Sequence, residues 1–176
     1  MTQAATKAHT QGSPFWHFSL SFYRAPEVAE ACLRLQDEAG VDVNLLFFLL
    51  WNASLKRRLS AAEVEAADGK VGAWRQSVVI PLRNVRRVLK TATGLIDPPT
   101  CEVFRTRVKG LELEAERLQQ ETLYDFAQSV TLGEPAASGV EAAHANVAAY
   151  ETYLSRHFPK PVIDVVLDAF GKLQRR

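Results

Sequence analysis

Seven consecutive apolar residues, Leu45-Leu46-Phe47-Phe48-Leu49-Leu50-Trp51, sit between Asn44 and Asn52. A segment apolar on every side cannot lie on a surface and must be enclosed by other elements. It is too short for a membrane span, which needs about 20 such residues. Asp42 is placed to cap a helix through its side-chain oxygen. Lys56-Arg57-Arg58 supplies cations suited to a helix C-terminus. The segment therefore reads as a central helix, about 43–55, jacketed by other helices.

Pro, Gly and capping residues divide the remainder into further helices. Ser13-Pro14 opens an aromatic segment from Phe15 to Tyr23. Ala25-Pro26-Glu27 opens a helix with proline in its first position, closed by Gly40. Ser60 and Glu63 have the spacing of a capping box. The helix they open is expected to break or bend around Gly69 and Gly72, resume at Trp74, and then kink or restart at Pro81, which cannot donate to the Ser77 carbonyl. Val85, Val88 and Leu89 form an apolar stripe ending at Thr91-Ala92-Thr93-Gly94. Asp97-Pro98-Pro99-Thr100 opens the longest helix, Cys101 to Ser129, with Phe104, Val108, Leu111, Ala115 and Leu118 as its seam. Two helices follow, 140–157 and 162–173, and Ser77 to Ile80 is the only β-like tetrad. The expectation is an all-α, single-domain bundle of about six to eight helices over 14–173, behind a disordered lead-in, 1–13.

Charge and cysteine content narrow the function. Net charge is +1, which disfavours attraction of the whole domain to nucleic acid or membrane. It conceals a division: from Ser54 to Lys109 twelve cations face five anions, and from Gly110 to Glu151 eight anions face Arg117 alone. Arg83, Arg86, Arg87 and Lys90 fall on one helical face. They form either an anion site of guanidinium forks or a surface that meets the acidic long helix. Cys32 and Cys101 give neither a disulfide framework nor zinc spacing, so a cytoplasmic setting is expected.

Catalytic signals are sparse. Glu141 and His144 share the spacing of a di-iron ligand pair, but only one copy exists. Asp164 and Asp168 stand one turn apart without the second cluster that Mg²⁺–phosphate chemistry requires. Cys101 lacks a local base, and Cys32 reads as a packed hydrophobe. No phosphate loop, hydrolase elbow, kinase signature, metal set or cofactor motif occurs, and enzyme activity stays open.

Phe15-Trp16, Leu33 to Asp37, Gly40 to Leu46, and Trp74-Arg75 with Val78-Val79, Pro81-Leu82-Arg83 carry a resemblance. The chain resembles a family of small proteobacterial proteins of unknown function over roughly Pro14 to Ser129. The resemblance implies a bacterial cytoplasmic protein and transfers no catalytic residue.

Two functions are expected to compete. One is a non-catalytic helical module binding a macromolecule, such as a protein, through its charged or aromatic surface. The other binds or transforms an anionic small molecule, held by Arg75, Arg83, Arg86 or Arg87 beside an aromatic cleft with Trp74 or Trp51 in its wall. His17, Asp42 and Asn44 supply the polar contacts in that reading. Convergence of the arginines on a pocket of about 300 Å³ or more favours the second. Pairing of the arginines with Glu112, Glu116 or Glu121, or their pointing separately into solvent, counts against the second.

Overall fold

Asp42 starts the central helix as its sequence requires. Its Oδ1 accepts from the Asn44 amide at 2.9 Å, and the helix runs Val43–Ser54. In this computed structural model, which describes residues 12–91 and 96–175, the helix is buried continuously from Asn44 to Ala53. The predicted lead-in falls almost wholly on 1–11, and the predicted Ala92–Gly94 boundary on 92–95, both outside the described residues. Ser13 already belongs to the fold: its Oγ accepts from Trp16 N and its N–H donates to Glu121 Oε1 at 2.8 Å.

In chain order the elements are α1 (Pro14–Tyr23), α2 (Val28–Ala39), α3 (Val43–Ser54), β1 (Arg57–Arg58), α4 (Ala61–Trp74), a π turn (Arg75–Val79), α5 (Ile80–Thr91), α6 (Pro98–Ser129), β2 (Glu134–Pro135), α7 (Gly139–Leu154) and α8 (Lys160–Gln174). The protein is an all-α bundle with one two-stranded antiparallel pair, Arg57 opposite Pro135 and Arg58 opposite Glu134. α3 is its axis. Phe15 and Phe48 meet edge to face with centroids 5.6 Å apart, and Trp51 lies against Phe15, Phe48 and Tyr124. α7 runs along α3 and is stitched to it by Asn146, which is fully buried. Asn146 Nδ2 donates to the carbonyls of Leu49 and Arg57, while its Oδ1 accepts from the Leu59 N–H at 2.7 Å.

Several expectations need correction. α2 begins at Val28, because Glu27 takes a left-handed φ of 67° and gives no side-chain cap. The Lys56–Arg58 cations do not close α3: Lys56 has φ 57° and turns the chain into β1. α4 passes through Gly69 and Gly72 unbroken, anchored by buried Val64, Ala67 and Val71; each mid-helix glycine costs only about 1 kcal/mol. The chain also stays helical through Pro81. The Ile80 N–H reaches back five residues to the Arg75 carbonyl, and this wider turn lies just ahead of the residue with no N–H to give. The β-like tetrad Ser77–Ile80 lies inside that helical run, and the strand pair forms elsewhere.

The seam of α6 is the largest correction. Val108 and Ala115 are buried, but Phe104, Leu111 and Leu118 are 52%, 58% and 41% exposed. The inward face carries Glu112, Gln119, Gln120 and Glu121 instead. Val85 and Val88 are exposed as well, and α5 buries no residue.

Candidate functional site

Asp42 and Arg75, expected among the contacts of one ligand cleft, bond to each other in a closed polar network rather than an open site. Arg75 Nη1 donates to Asp42 Oδ2 at 2.9 Å, and the guanidinium also grips both oxygens of Asp68. Gln119 Nε2 donates to Asp42, the Tyr153 hydroxyl donates to Asp68 at 2.9 Å, and the Asp42 N–H donates to the Tyr150 hydroxyl. Burial works against the Arg75 charge, but the two carboxylates outweigh it and raise its pKa further above its usual value. Burial drives the Tyr150 hydroxyl upward too, so it stays neutral. The network joins the start of α3 to α4, α6 and α7, and the Arg75 charge is fully engaged within it.

Arg83, Arg86, Arg87 and Asn44 converge on a cleft of about 440 Å³ between α1, α2, α3, α5 and α6. The wall contains Trp16, Tyr23 and Phe47; Trp51 and Trp74 are elsewhere, in the core and beside α6. His17 is exposed on α1 and takes no part. The innermost guanidinium groups are already paired. Arg83 donates to Glu112 at 3.2 Å and to Glu116 at 2.7 Å, and Arg86 forks onto Glu112. Arg87 pairs with Asp37 across an exposed gap of 3.0 Å. Arg24 and Lys109, also in the lining, form no ion pair with a described residue.

The cleft has an under-satisfied polar end. Gln120 Nε2 donates to Asn44 Oδ1 at 2.7 Å, but among the described residues Gln120 Oε1 has no partner, nor does Ser19 Oγ, and both residues are 3% exposed. Burial raises the Glu116 carboxyl despite the opposing Arg83 charge. Burial also raises the Tyr23 hydroxyl and pushes the Cys32 thiol up to about 12. A thiol held neutral in this way is not a nucleophile. The pattern-based reading missed Ser19 and Gln120. Their role arises from contacts between distant helices, and the one available signal was the polar residues interrupting the apolar repeat of α6.

The second surface is the outer side of the α5–α6 hairpin. Phe104, Leu111 and Leu118 recur every seven residues and form one stripe along α6. Trp74, 38% exposed, donates its indole N–H to the Ala115 carbonyl at 3.0 Å, which places it beside that stripe. The other sequence candidates stay apart. Glu141 and His144 are exposed, Asp164 pairs with Lys160, and Cys101 lies under the hairpin with its thiol 3.5 Å from the Leu89 carbonyl. Among the described residues no three His, Cys, Asp or Glu are grouped to hold a metal ion, and no helix is long and apolar enough to cross a membrane.

A single-domain helical bundle with an amphipathic cleft and a bare apolar hairpin face is the class that this geometry defines. The chain belongs to the family described as Protein of unknown function (DUF2390), whose model matches residues 14–123. No curated protein and no solved structure matches it.

Proposed function

We propose that the chain is a non-catalytic helical interaction module that docks a protein partner on the outer face of the α5–α6 hairpin. The observation that carries this reading is the exposed row Phe104–Leu111–Leu118 with Trp74 beside it. An apolar surface that is contiguous, and not scattered, marks an interaction site. The pairing of Arg83 and Arg86 with Glu112 and Glu116 supports it further, because those charges hold the hairpin together. A bacterial cytoplasmic setting goes with this reading, supported by two buried, unpaired thiols. The test is site-specific photo-crosslinking in the native host. A crosslinker at position 111 should trap a discrete protein that one at Glu65, exposed on α4, does not. No adduct from position 111 would reject the module.

A second reading is favoured by one observation, the orphaned oxygens of Ser19 and Gln120 in a cleft whose wall includes Trp16, Tyr23 and Phe47. A buried acceptor without a partner costs about 1–3 kcal/mol, and a ligand that donates to it recovers that loss. The ligand would have an apolar body, a donor group, and an anionic end toward Arg24, Arg87 and Lys109. Native mass spectrometry of protein purified from its host should show a retained small molecule that Gln120→Leu releases. An unliganded wild type would dismiss this reading.

A further inference from the structure

The charges that flank the bare stripe of α6 are self-complementary, and they identify its occupant. Along the helix, the apolar Phe104, Leu111 and Leu118 alternate with Arg107 and Glu114, a cation on one side of Leu111 and an anion on the other. We infer that this stripe packs antiparallel against its own copy, so that the partner docked on the hairpin is a second molecule of this protein. The inference rests on the interaction reading above and names the partner for the same face.

The geometry follows from helix periodicity. Residues seven apart share a face with a drift of about 20° per heptad. A twofold axis through Leu111 sets Phe104 against the partner's Leu118, Leu111 against the partner's Leu111, and the reverse. Arg107 then lies within one residue, about 1.5 Å of axial rise, of the position directly opposite the partner's Glu114. Because the contact is isologous, the ion pair forms twice. Such flanking charges set partner choice and orientation in helix pairs.

The side chains are free to act this way. Arg107 is exposed and forms no ion pair or side-chain hydrogen bond with a described residue. Glu114 is half-exposed, and although its carboxylate is held bidentate by Arg117 at 2.9 and 2.7 Å, it keeps acceptor sites for a second guanidinium. That fork also holds the Glu114 carboxyl below its usual range, so it is charged at neutral pH. Gly110, next to the proposed axis, has open space where a Cβ would stand, which admits close approach of a second helix.

Light scattering on the purified full chain, with analytical ultracentrifugation for the dissociation constant, tests the inference. The wild type should be a dimer at micromolar concentration. Arg107→Glu and Glu114→Arg, each alone, should weaken it about tenfold to a hundredfold by juxtaposing like charges, with circular dichroism spectra unchanged. Equimolar mixing of the two variants should restore dimers of mixed composition, and so should Arg107→Glu/Glu114→Arg in one chain. A wild type that stays monomeric at 100 μM (a concentration of order 10⁻⁴ M, where even weak pairs form), or single variants as dimeric as the wild type, overturns the inference. In that event a position-111 adduct with a different protein would leave the module reading standing. An adduct with no protein would reject both.

Discussion

Asp42 ties together four parts of the fold with one side chain and one amide. Its carboxylate caps α3, accepts from Arg75 and accepts from Gln119, while its N–H fixes the Tyr150 hydroxyl. Removing it strips the cap and leaves Arg75, only 19% exposed, with Asp68 as its single counter-ion. Breaking one side of a buried pair costs about 3–5 kcal/mol. Asp42→Ala should therefore lower the urea midpoint sharply, and Asp42→Asn, which keeps an oxygen for the cap, should lower it less. A loss below about 1 kcal/mol in Asp42→Ala would show that the network contributes little. The sequence allowed Asp42 to be recognised as a cap, because capping is local. Its partners were not recognisable, because Arg75, Gln119 and Tyr150 lie far along the chain and no periodicity relates them.

At the scale of elements, the period of α6 was legible and its orientation was not. Phe104, Val108, Leu111, Ala115 and Leu118 do repeat as a seam, but two adjacent faces compete for the interior. The face carrying Glu112, Gln119, Gln120 and Glu121 prevails because each side chain meets a specific donor or acceptor: Arg83 and Arg86, Asp42, Asn44, and the Ser13 amide. Hydropathy does not register such partners. The capping box of α4 was fully legible, and the structure adds to it. Glu63 Oε2 accepts from the Ser60 N–H at 2.8 Å, and Oε1 accepts from the Gly133 N–H at 2.7 Å, so the helix start also fastens the α6–α7 loop. Gly133 has φ 72°, a backbone conformation that favours glycine, and a Cβ there would stand tightly, 3.1 Å from the Arg58 carbonyl. Glu63→Ala should cost about 1–2 kcal/mol and speed hydrogen exchange at Gly133. Burial alone would raise the Glu63 carboxyl, but these hydrogen bonds bring it below its usual 4.5. A lowered carboxyl stabilises the fold above its unfolded pKa and loses that contribution as pH falls through the folded value. The gap between wild type and Glu63→Ala should thus be full at neutral pH and close as the pH falls below 4.5 and through the lowered folded value. A gap independent of pH would contradict the assignment.

For the whole molecule, the family resemblance and the folding unit have different boundaries. The family model ends at residue 123, yet α7 lies against α3 along its length and α8 closes over α2. Ala142, Ala143, Asn146, Val147, Tyr150, Val166 and Phe170 are all buried in that contact. A fragment of residues 12–129 would expose one side of the most apolar helix in the chain. It should lack a cooperative thermal transition and bind a hydrophobic dye, whereas the full chain melts in one step. A sharp, reversible transition in the fragment would show that the first six helices are self-sufficient. The division of charge along the sequence also resolves at this scale. Basic and acidic blocks meet where Arg83 and Arg86 face Glu112 and Glu116, and where Arg58 faces Glu134 and Glu141.

The π turn gives the fold an unusual sensitivity to chain length. By fitting one additional residue into the helical rod, it advances everything after Val79 by about 100° relative to α4. That rotation is what points Arg83 and Arg86 at Glu112. A related chain shortened by one residue between 75 and 79 would keep its helix and its composition, yet it would present a different azimuth to the cleft. Among relatives, single-residue gaps in this stretch should accompany loss of the Arg83, Arg86 and Glu112 set as a unit.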